Sequence, residues 1–194
     1  LRTALVALRK QNFGPYLYIT DQTLAFERAR EDVTLDVNEF KSLLQAPHPS
    51  PQQLHTLVHL YRGTFLEDFS LKKVSEEFED WLRAERNYYQ QKVLETLERL
   101  VLYHTEQQQF KEGLHYADRL LTLEAWPEHY HGYKMKLLAL TGRQTEAITQ
   151  YELCAALQRE KFGIEPSAKT IELYHQIVSG ALGGQHLDPV APTW

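Results

Sequence analysis

Apolar residues recur at helical spacing through the middle of the chain and predict one long helix. Ser75 is suited to cap the N-terminus of this helix, because its hydroxyl can accept a hydrogen bond from a first-turn amide. Acidic residues fill the first turns, where the helix dipole favours negative charge. The apolar side is formed by Phe78, Trp81, Leu82, Tyr88 or Tyr89, Val93, Leu97 and Leu100. The pattern therefore predicts a helix that begins after Ser75 and continues beyond Leu97.

A pattern of small and hydrophobic residues occurs twice in the second half of the chain. It reads Gly113-Leu-His-Tyr-Ala117 in the first copy and Ala147-Ile-Thr-Gln-Tyr151 in the second. The spacing is about 34 residues, the period of the tetratricopeptide repeat, whose unit is two helices joined by a tight turn. Gly142-Arg143 supplies such a turn in the second copy. Two units cannot bury a core alone, so we expect flanking helices to cap them.

The N-terminal segment changes from helical to strand spacing. The opening LRTALVALRK places Leu1, Leu5 and Leu8 on one face of a short helix whose other side is basic. Residues 16–20 and 23–27 then carry aromatic and β-branched side chains on either side of Asp21-Gln22, which predicts a β-hairpin. A basic helix followed at once by a hairpin is typical of the closing half of a winged helix.

Helix start and stop signals divide the remaining chain. A helix is predicted with Asp36 as its cap and Glu39 reaching back to it. The three prolines within residues 46–51 are interpreted as a linker. A second helix is predicted over residues 52–61. Towards the C-terminus, Gly163 is suited to end one helix, before another begins at Pro166-Ser167.

The amino-acid composition is that of a soluble globular protein. The 194 residues are 43% hydrophobic and 24% charged, which is ordinary for a soluble globular protein. No apolar run approaches the roughly 18 residues of a membrane helix, and the net charge of -5 argues against nonspecific coating of nucleic acid. Cys154 is the only cysteine, which excludes an internal disulfide framework and favours a cytoplasmic setting. The chain begins with Leu1 rather than methionine, so we expect a piece of a longer protein.

Several motifs at fixed spacing resemble one family of bacterial regulators. They are Tyr61-Arg-Gly-Thr-Phe-Leu66, Glu77-Phe-Glu-Asp-Trp81 with Arg86, Thr141-Gly-Arg143 with Glu146-Ala147, Tyr151-Glu152 and Phe162-Gly-Ile-Glu-Pro-Ser167. In this order, over residues 32–180, they resemble the bacterial transcriptional activator domain, which is built from degenerate tetratricopeptide-like helices. The opening LRTALVALRK, the hairpin and residues 33–40 look like the recognition helix and wing of the DNA-binding domain of activators of the antibiotic-regulatory-protein type.

Pattern and resemblance together imply a mainly α protein. The expected architecture is a tetratricopeptide-like helical bundle preceded by a partial winged helix, made of one helix and the β-hairpin. The implied domains are the C-terminal part of the winged helix over residues 1–35, the activator domain over 36–179, and a linker or flexible tail over 180–194.

The resemblance also implies which residues contact DNA. They are Arg2, Thr3, Val6, Lys10, Tyr18 and Thr20. Arg2 and Thr3 would lie toward base edges and Lys10 toward a phosphate. Val6 would contact a thymine methyl, and Tyr18 or Thr20 in the wing would meet the DNA backbone. From the residues alone, a solvated helix with a basic face remains an alternative.

The sequence offers little support for a catalytic or metal site. It contains no phosphate-loop, nucleophile-elbow or His-Glu-x-x-His string. His55 and His59 stand four positions apart on a predicted helix, but no third ligand is indicated, so an ordinary pair is favoured. Cys154 falls on the apolar side of its helix and is interpreted as a buried hydrophobe. We therefore expect no enzymatic activity, no metal and no cofactor.

Two functions from different classes remain open. The first is a fragment of a transcriptional regulator that binds DNA through the winged helix and contacts itself or the transcription machinery through the helical domain. The second is a freestanding tetratricopeptide-like scaffold that binds a partner peptide without DNA. Neither involves a membrane. Partner contacts are expected on the first helices of the two units, at Tyr103, His104, Tyr133 and Lys136.

Overall fold

The computed structural model describes residues 16–20, 24–26, 34–67 and 75–182. The described residues are mainly helical, and the chain divides into two compact units between Gln45 and Ala46. The predicted helix at residues 1–10, the hairpin turn and the end of the tail beyond residue 182 lie outside the described residues.

The first unit contains two short strands that pair with each other. Strands β1 (Leu17–Ile19) and β2 (Leu24–Phe26) run antiparallel, with Tyr18 opposite Ala25 in the register. The interpretation of this strand pair as the wing of a winged helix remains a prediction.

Helix α1 (Asp36–Leu44) follows in the same unit and begins one residue earlier than predicted. Leu35 occupies the N-cap position in an extended conformation, and Asp36 is already helical. The Asp36 carboxylate accepts a hydrogen bond from the Val37 amide at 2.8 Å. The prediction of Asp36 as the cap is therefore wrong. Its charge instead lies in the first turn, where the helix dipole favours it.

The second unit opens with helix α2 (Pro51–Leu60), whose start is fixed by a reciprocal cap. The Ser50 hydroxyl accepts a hydrogen bond from the Gln53 amide at 3.3 Å, and the Gln53 side chain accepts one from the Ser50 amide at 2.8 Å. Pro51 stands at the first helical position, where its missing amide proton is not needed. The last proline of the predicted linker therefore starts the helix.

Helix α3 (Glu76–Glu106) is the long element that the apolar pattern predicts. The Ser75 hydroxyl caps it by accepting a hydrogen bond from the Phe78 amide at 3.3 Å. The helix continues without interruption for 31 residues, so the prediction of a helix from Ser75 to beyond Leu97 is confirmed.

Four shorter helices complete the second unit and pack in sequence. They are α4 (Phe110–Leu123), α5 (Glu128–Leu140), α6 (Gln144–Phe162) and α7 (Ala168–Val178). From α2 onward each helix packs on the next, and α7 also packs on α5. The connections from α3 to α7 are short, so successive helices run in opposite directions. This arrangement places α3, α5 and α7 as the first helices of successive pairs.

The same tight turn ends each of these first helices. After α3, α5 and α7 the left-handed residue is Gln108 (φ 56°), Gly142 (φ 76°) and Gly180 (φ 75°), respectively. In each case the amide of the following residue reaches back five positions to a carbonyl, as from Gln109 to His104 at 2.8 Å. These bonds satisfy carbonyl groups that have no hydrogen-bond donor within the helix, because they lie in its last turn. Gln108 and Gly142 are separated by the period of about 34 residues seen in the sequence.

Small residues allow α4 and α6 to approach their neighbours closely. A Cβ atom at Gly113 would lie 3.1 Å from Cδ2 of Leu137, and Ala147 is fully buried. Gly113 and Ala147 are the equivalent positions of the repeated pattern. The core around them includes Leu57, Val93, Leu97, Leu100, Leu120, Met135, Leu138 and Ile177.

Candidate protein-interaction groove

Helices α3, α5 and α7 line a groove in the second unit with a volume of about 640 Å³. Leu102 of α3 and Leu173 of α7 contribute apolar walls. Gly132 of α5 leaves the space between the helices without a side chain, since a Cβ there would meet only Leu173 Cδ2, at 3.9 Å. A concave apolar surface of this size with a few polar groups is typical of a binding site.

A polar cluster joins α3 to α5 beside this groove. The Tyr133 hydroxyl donates a hydrogen bond to Glu98 Oε1 at 2.7 Å, and His129 Nε2 lies 3.5 Å from the same oxygen. Burial, reinforced by Glu98, raises the pKa of Tyr133, so its hydroxyl stays protonated and donating at neutral pH. The Glu98 carboxylate is therefore already engaged within the fold.

A second polar contact ties the start of α7 to α5. Glu128 Oε1 accepts hydrogen bonds from the backbone amide and the hydroxyl of Ser167, both at 2.8 Å. Burial raises the pKa of the Glu128 carboxyl, but hydrogen bonds from Thr170 and Ser167 outweigh burial and leave that pKa below its usual value. The Glu128 charge is thus used to position the α7 wall of the groove.

The lysines of the groove have fewer polar partners than these carboxylates. Lys136 of α5 and Lys169 of α7 are exposed and line the groove, and neither has an ion-pair partner among the residues that the structure describes. By contrast, Lys134 forms an ion pair with Asp118 of α4 at 2.7 Å. The exposed carboxylate of Glu172 accepts a 3.4 Å hydrogen bond from Gln176. The lining of the groove therefore holds two lysines and two glutamates, and their formal charges balance.

The residues predicted to bind partners fall on two different surfaces. Tyr133 and Lys136 both line the groove. Tyr103 is half-buried and packs edge-on against His104 at a centroid distance of 5.2 Å. His104 is only 6% exposed, so its predicted place on a binding face does not fit the structure. The reason is angular, because His104 lies about 200° around the helix from the groove residue Leu102.

His104 instead belongs to an aromatic cluster between α2, α3 and α4. Its Nδ1 atom donates to Gln109 Oε1 at 2.7 Å, and its ring stacks on Tyr116 at a centroid distance of 5.4 Å. Nδ1 of His55 is 2.6 Å from the Tyr116 hydroxyl. Burial and the neighbouring His104 lower the pKa of His55, against an opposing effect of Glu112.

His55 is thus engaged with Tyr116, while His59 is exposed on the same helix. Across the described ranges, no group of three or more His, Cys, Asp or Glu side chains is placed to hold a metal ion. Cys154 is buried, and burial raises the pKa of its thiol to about 11. Its thiol is therefore neutral at physiological pH and poorly suited to act as a nucleophile.

The resemblance motifs at the start of the second unit have a structural role. Arg86 of α3 donates from Nε to the Phe65 carbonyl at 2.9 Å and from Nη2 to the Leu66 carbonyl at 2.6 Å. Leu66 has a left-handed backbone (φ 49°), which is unusual for a branched aliphatic residue. The guanidinium therefore holds the segment after α2 against α3 in a conformation that its own residues do not favour.

The Phe162-Gly-Ile-Glu-Pro-Ser167 motif forms the joint between α6 and α7. Gly163 ends α6 in the left-handed region (φ 67°), as predicted. The Glu165 carboxylate accepts two hydrogen bonds from Arg159, at 2.8 and 2.7 Å, and Pro166 is buried. Ser167 then caps α7. This connection fixes where α7 begins, and therefore fixes the position of the groove wall that α7 forms.

Several groove residues were not found from the sequence, namely Leu102, Gly132, Lys169 and Leu173. They lie on three helices, and only Lys169 and Leu173, which are neighbours one turn apart on α7, are related by a helical spacing. The one local signal is Gly132, because a glycine within a helix costs stability relative to alanine and usually has a packing or functional reason.

The residues predicted to contact DNA are placed only in part. Arg2, Thr3, Val6 and Lys10 lie outside the described residues. Tyr18 is on β1 with its side chain 58% exposed, and Thr20 follows the strand half-buried.

Comparisons with known proteins bear on the second unit and on α1. No curated protein matches the sequence. Along the described ranges, no helix combines the length and apolarity needed to cross a membrane. The bacterial transcriptional activator domain matches residues 35–178, well over half of the chain. Because the match runs from the start of α1 through α7, the chain belongs to the bacterial transcriptional activator domain family.

Proposed function

We propose that the chain is part of a bacterial transcriptional regulator in which the N-terminal segment reads DNA and the helical unit makes protein contacts. The observation that carries the proposal is the family match, combined with a groove lined by successive first helices. Tetratricopeptide-like stacks present such concave surfaces to partner proteins. The groove supplies apolar walls and two lysines that have no ion-pair partner among the described residues, so the proposed role is binding.

The proposed DNA contacts come from the segment before the helical unit. Arg2 and Thr3 would read base edges, Lys10 would contact a phosphate, and Val6 would meet a thymine methyl. The exposed ring of Tyr18 and the neighbouring Thr20 would contact the DNA backbone from the wing. Because a winged helix holds its reading helix against earlier helices, this chain alone should bind DNA weakly.

The direct test is a titration of duplex DNA by fluorescence anisotropy at two salt concentrations. It compares this chain with a version extended upstream of Leu1. The extended protein should bind more tightly, with a steeper salt dependence, because more phosphates are neutralised. In the extended protein, Arg2→Ala should relax base preference, whereas Lys10→Ala should weaken binding to all sequences alike. If the extended protein binds no DNA at low salt, or if both variants have no effect, the DNA-reading part of the proposal fails.

The same experiment distinguishes the regulator from the alternative, a scaffold that never contacts DNA. A scaffold would keep its groove and its partner while the extended protein showed no DNA binding. Purified protein that retains a stoichiometric metal or nucleotide through dialysis would argue against both functions, because both involve protein contacts without a cofactor.

A further inference from the structure

We infer that a histidine cluster between α2, α3 and α4 takes up protons in mild acid and thereby loosens α2, while the later helices of the second unit stay packed. The cluster consists of His55 of α2, His104 of α3 and Tyr116 of α4. The inference goes beyond the proposed function, because it concerns a movable helix and holds with or without DNA binding.

The first observation is a buried nitrogen atom without a partner. His104 Nδ1 donates to Gln109 Oε1 at 2.7 Å, so Nε2 of this ring carries a lone pair. Nε2 is buried and has no hydrogen-bond partner among the described residues, and His104 is 6% exposed. A proton bound at Nε2 would create a charged donor that neither water nor an acceptor reaches while the cluster is closed.

The fold does not require a histidine at this position. His104 lies four residues before Gln108, the left-handed residue that follows α3. Leu138 lies four residues before Gly142, the left-handed residue that follows α5, and is 2% exposed. The equivalent site of the next helix pair is therefore filled by an aliphatic side chain. A buried histidine with an unpaired nitrogen is costly by comparison and calls for an explanation other than packing.

The second observation is that another histidine shares the cluster. The ring centroids of His55 and His104 are 5.2 Å apart, and Nδ1 of His55 lies 2.6 Å from the Tyr116 hydroxyl. If both imidazoles were protonated, two positive charges would lie at about this separation, one of them without access to water. Movement of α2 away from α3 separates the two charges and exposes His104 to water.

The surroundings do not neutralise two protons. The ionisable side chains that face the cluster from α3 and α4 are Tyr103, Glu112, His115, Tyr116 and Arg119. On α2 itself, His59 is exposed one turn after His55. Burial and His104 lower the pKa of His55, and the Glu112 carboxylate opposes them without restoring the usual value. A detached α2 therefore binds more protons than a docked one, so acid favours detachment.

Helix α2 is placed to respond without the rest of the unit. It is the first helix of the second unit and packs on α3, whereas each helix from α3 to α6 lies between two neighbours. Opening a terminal element exposes less surface than unfolding the whole unit. The first unit ends at Gln45 and α2 begins at Pro51, so detachment of α2 lengthens the tether between the first unit and α3.

Native-state hydrogen exchange followed by NMR measures this detachment, after correction for the intrinsic exchange rates. Between about pH 7 and pH 5.5, one histidine that is protonated only when α2 is detached should lower the protection of α2 amides about eightfold. Two such histidines should lower it by up to about seventyfold, so the parent chain should exceed the eightfold limit of one. Amides of α5 and α6 report unfolding of the whole unit and should stay better protected than those of α2 at both pH values.

Two substitutions assign the response to the cluster. His104→Leu introduces the residue found at the equivalent position, Leu138, and should reduce the response of α2 to at most about eightfold. His55→Gln keeps a group that can hydrogen-bond to Tyr116 but takes up no proton, and should reduce the response similarly. The double variant should show no response. His59→Gln, at an exposed position of the same helix, is the matched control and should respond like the parent chain.

Circular dichroism verifies that each variant folds, and His55→Gln tests the cluster by itself if His104→Leu does not fold. Four results would overturn the inference. They are a parent response of about eightfold or less, loss of protection in α2 and α5 together, a response that survives in the double variant, and a response that His59→Gln removes.

Discussion

His131 and Gln150 form a buried hydrogen bond that joins α5 to α6. Gln150 Nε2 donates to His131 Nδ1 at 2.6 Å, and on the other side of the ring His131 Nε2 donates to the Ala125 carbonyl at 2.7 Å. His131 is 1% exposed and Gln150 is 6% exposed. These roles require a neutral imidazole with its proton on Nε2, because a protonated ring has no lone pair to accept the bond from Gln150.

The free energy of unfolding should fall as pH is lowered through the range below about 6.5, the usual pKa of histidine. Burial lowers the pKa of His131, and it is the leading cause that lowers the pKa of His55. The unfolded chain therefore binds more protons than the folded chain in this range, so acid favours unfolding. Urea denaturation at a neutral and a mildly acidic pH measures the loss. An NMR titration that placed the pKa of His131 at or above its usual value would contradict the explanation.

Gln150→Leu should destabilise the second unit by about 1–3 kcal/mol, because it leaves the buried Nδ1 of His131 without a donor. Glu152→Gln is the matched control, since Glu152 is exposed on the same helix and the change should stay within about 0.5 kcal/mol. Chemical denaturation monitored by circular dichroism compares the two. Equal midpoints for Gln150→Leu and the parent would show that the bond contributes nothing.

Ala147→Arg should cost several kcal/mol, because Ala147 is fully buried where α6 meets its neighbours. The larger side chain overpacks the contact and carries a charge into an apolar site. Thr145→Arg adds the same side chain at an exposed position of α6 and should leave the melting temperature nearly unchanged. A soluble, cooperative Ala147→Arg variant that melts with the parent would overturn the packing described for this helix pair.

Gln108→Gly should raise stability by about 0.5–1 kcal/mol, since glycine adopts the left-handed conformation without the steric cost that a side chain carries. Gly142→Ala, at the equivalent turn of the next pair, should lower stability by about 1–2 kcal/mol for the same reason. No atom would lie within 4 Å of the added Cβ at Gly142, so crowding cannot explain a loss there. Thermal melting that moved both variants in one direction would contradict this account.

Local sequence signals determined the helices of this protein. Ser75, Gly142 and Gly163 mark helix ends because capping and left-handed turns depend on residues adjacent in the chain. The spacing between Gly113 and Ala147 likewise follows from the chain, since each small residue sits at the same step of a repeated turn and helix. At the start of α1 the capping signal of Asp36 was misplaced by one position, because Leu35 is the N-cap and Asp36 is the first residue of the helix.

Tertiary structure decided which helix faces meet and therefore where a partner can bind. The sequence placed His104 and Lys136 on first helices, but only the packing of α2 and α4 against α3 buried His104 and left Lys136 beside the groove. Gly132 and Lys169 likewise share a groove although they lie on different helices. Helical periodicity separates apolar from polar faces on one element, whereas the choice of partner for each face is made by side chains distant in sequence that exclude water together.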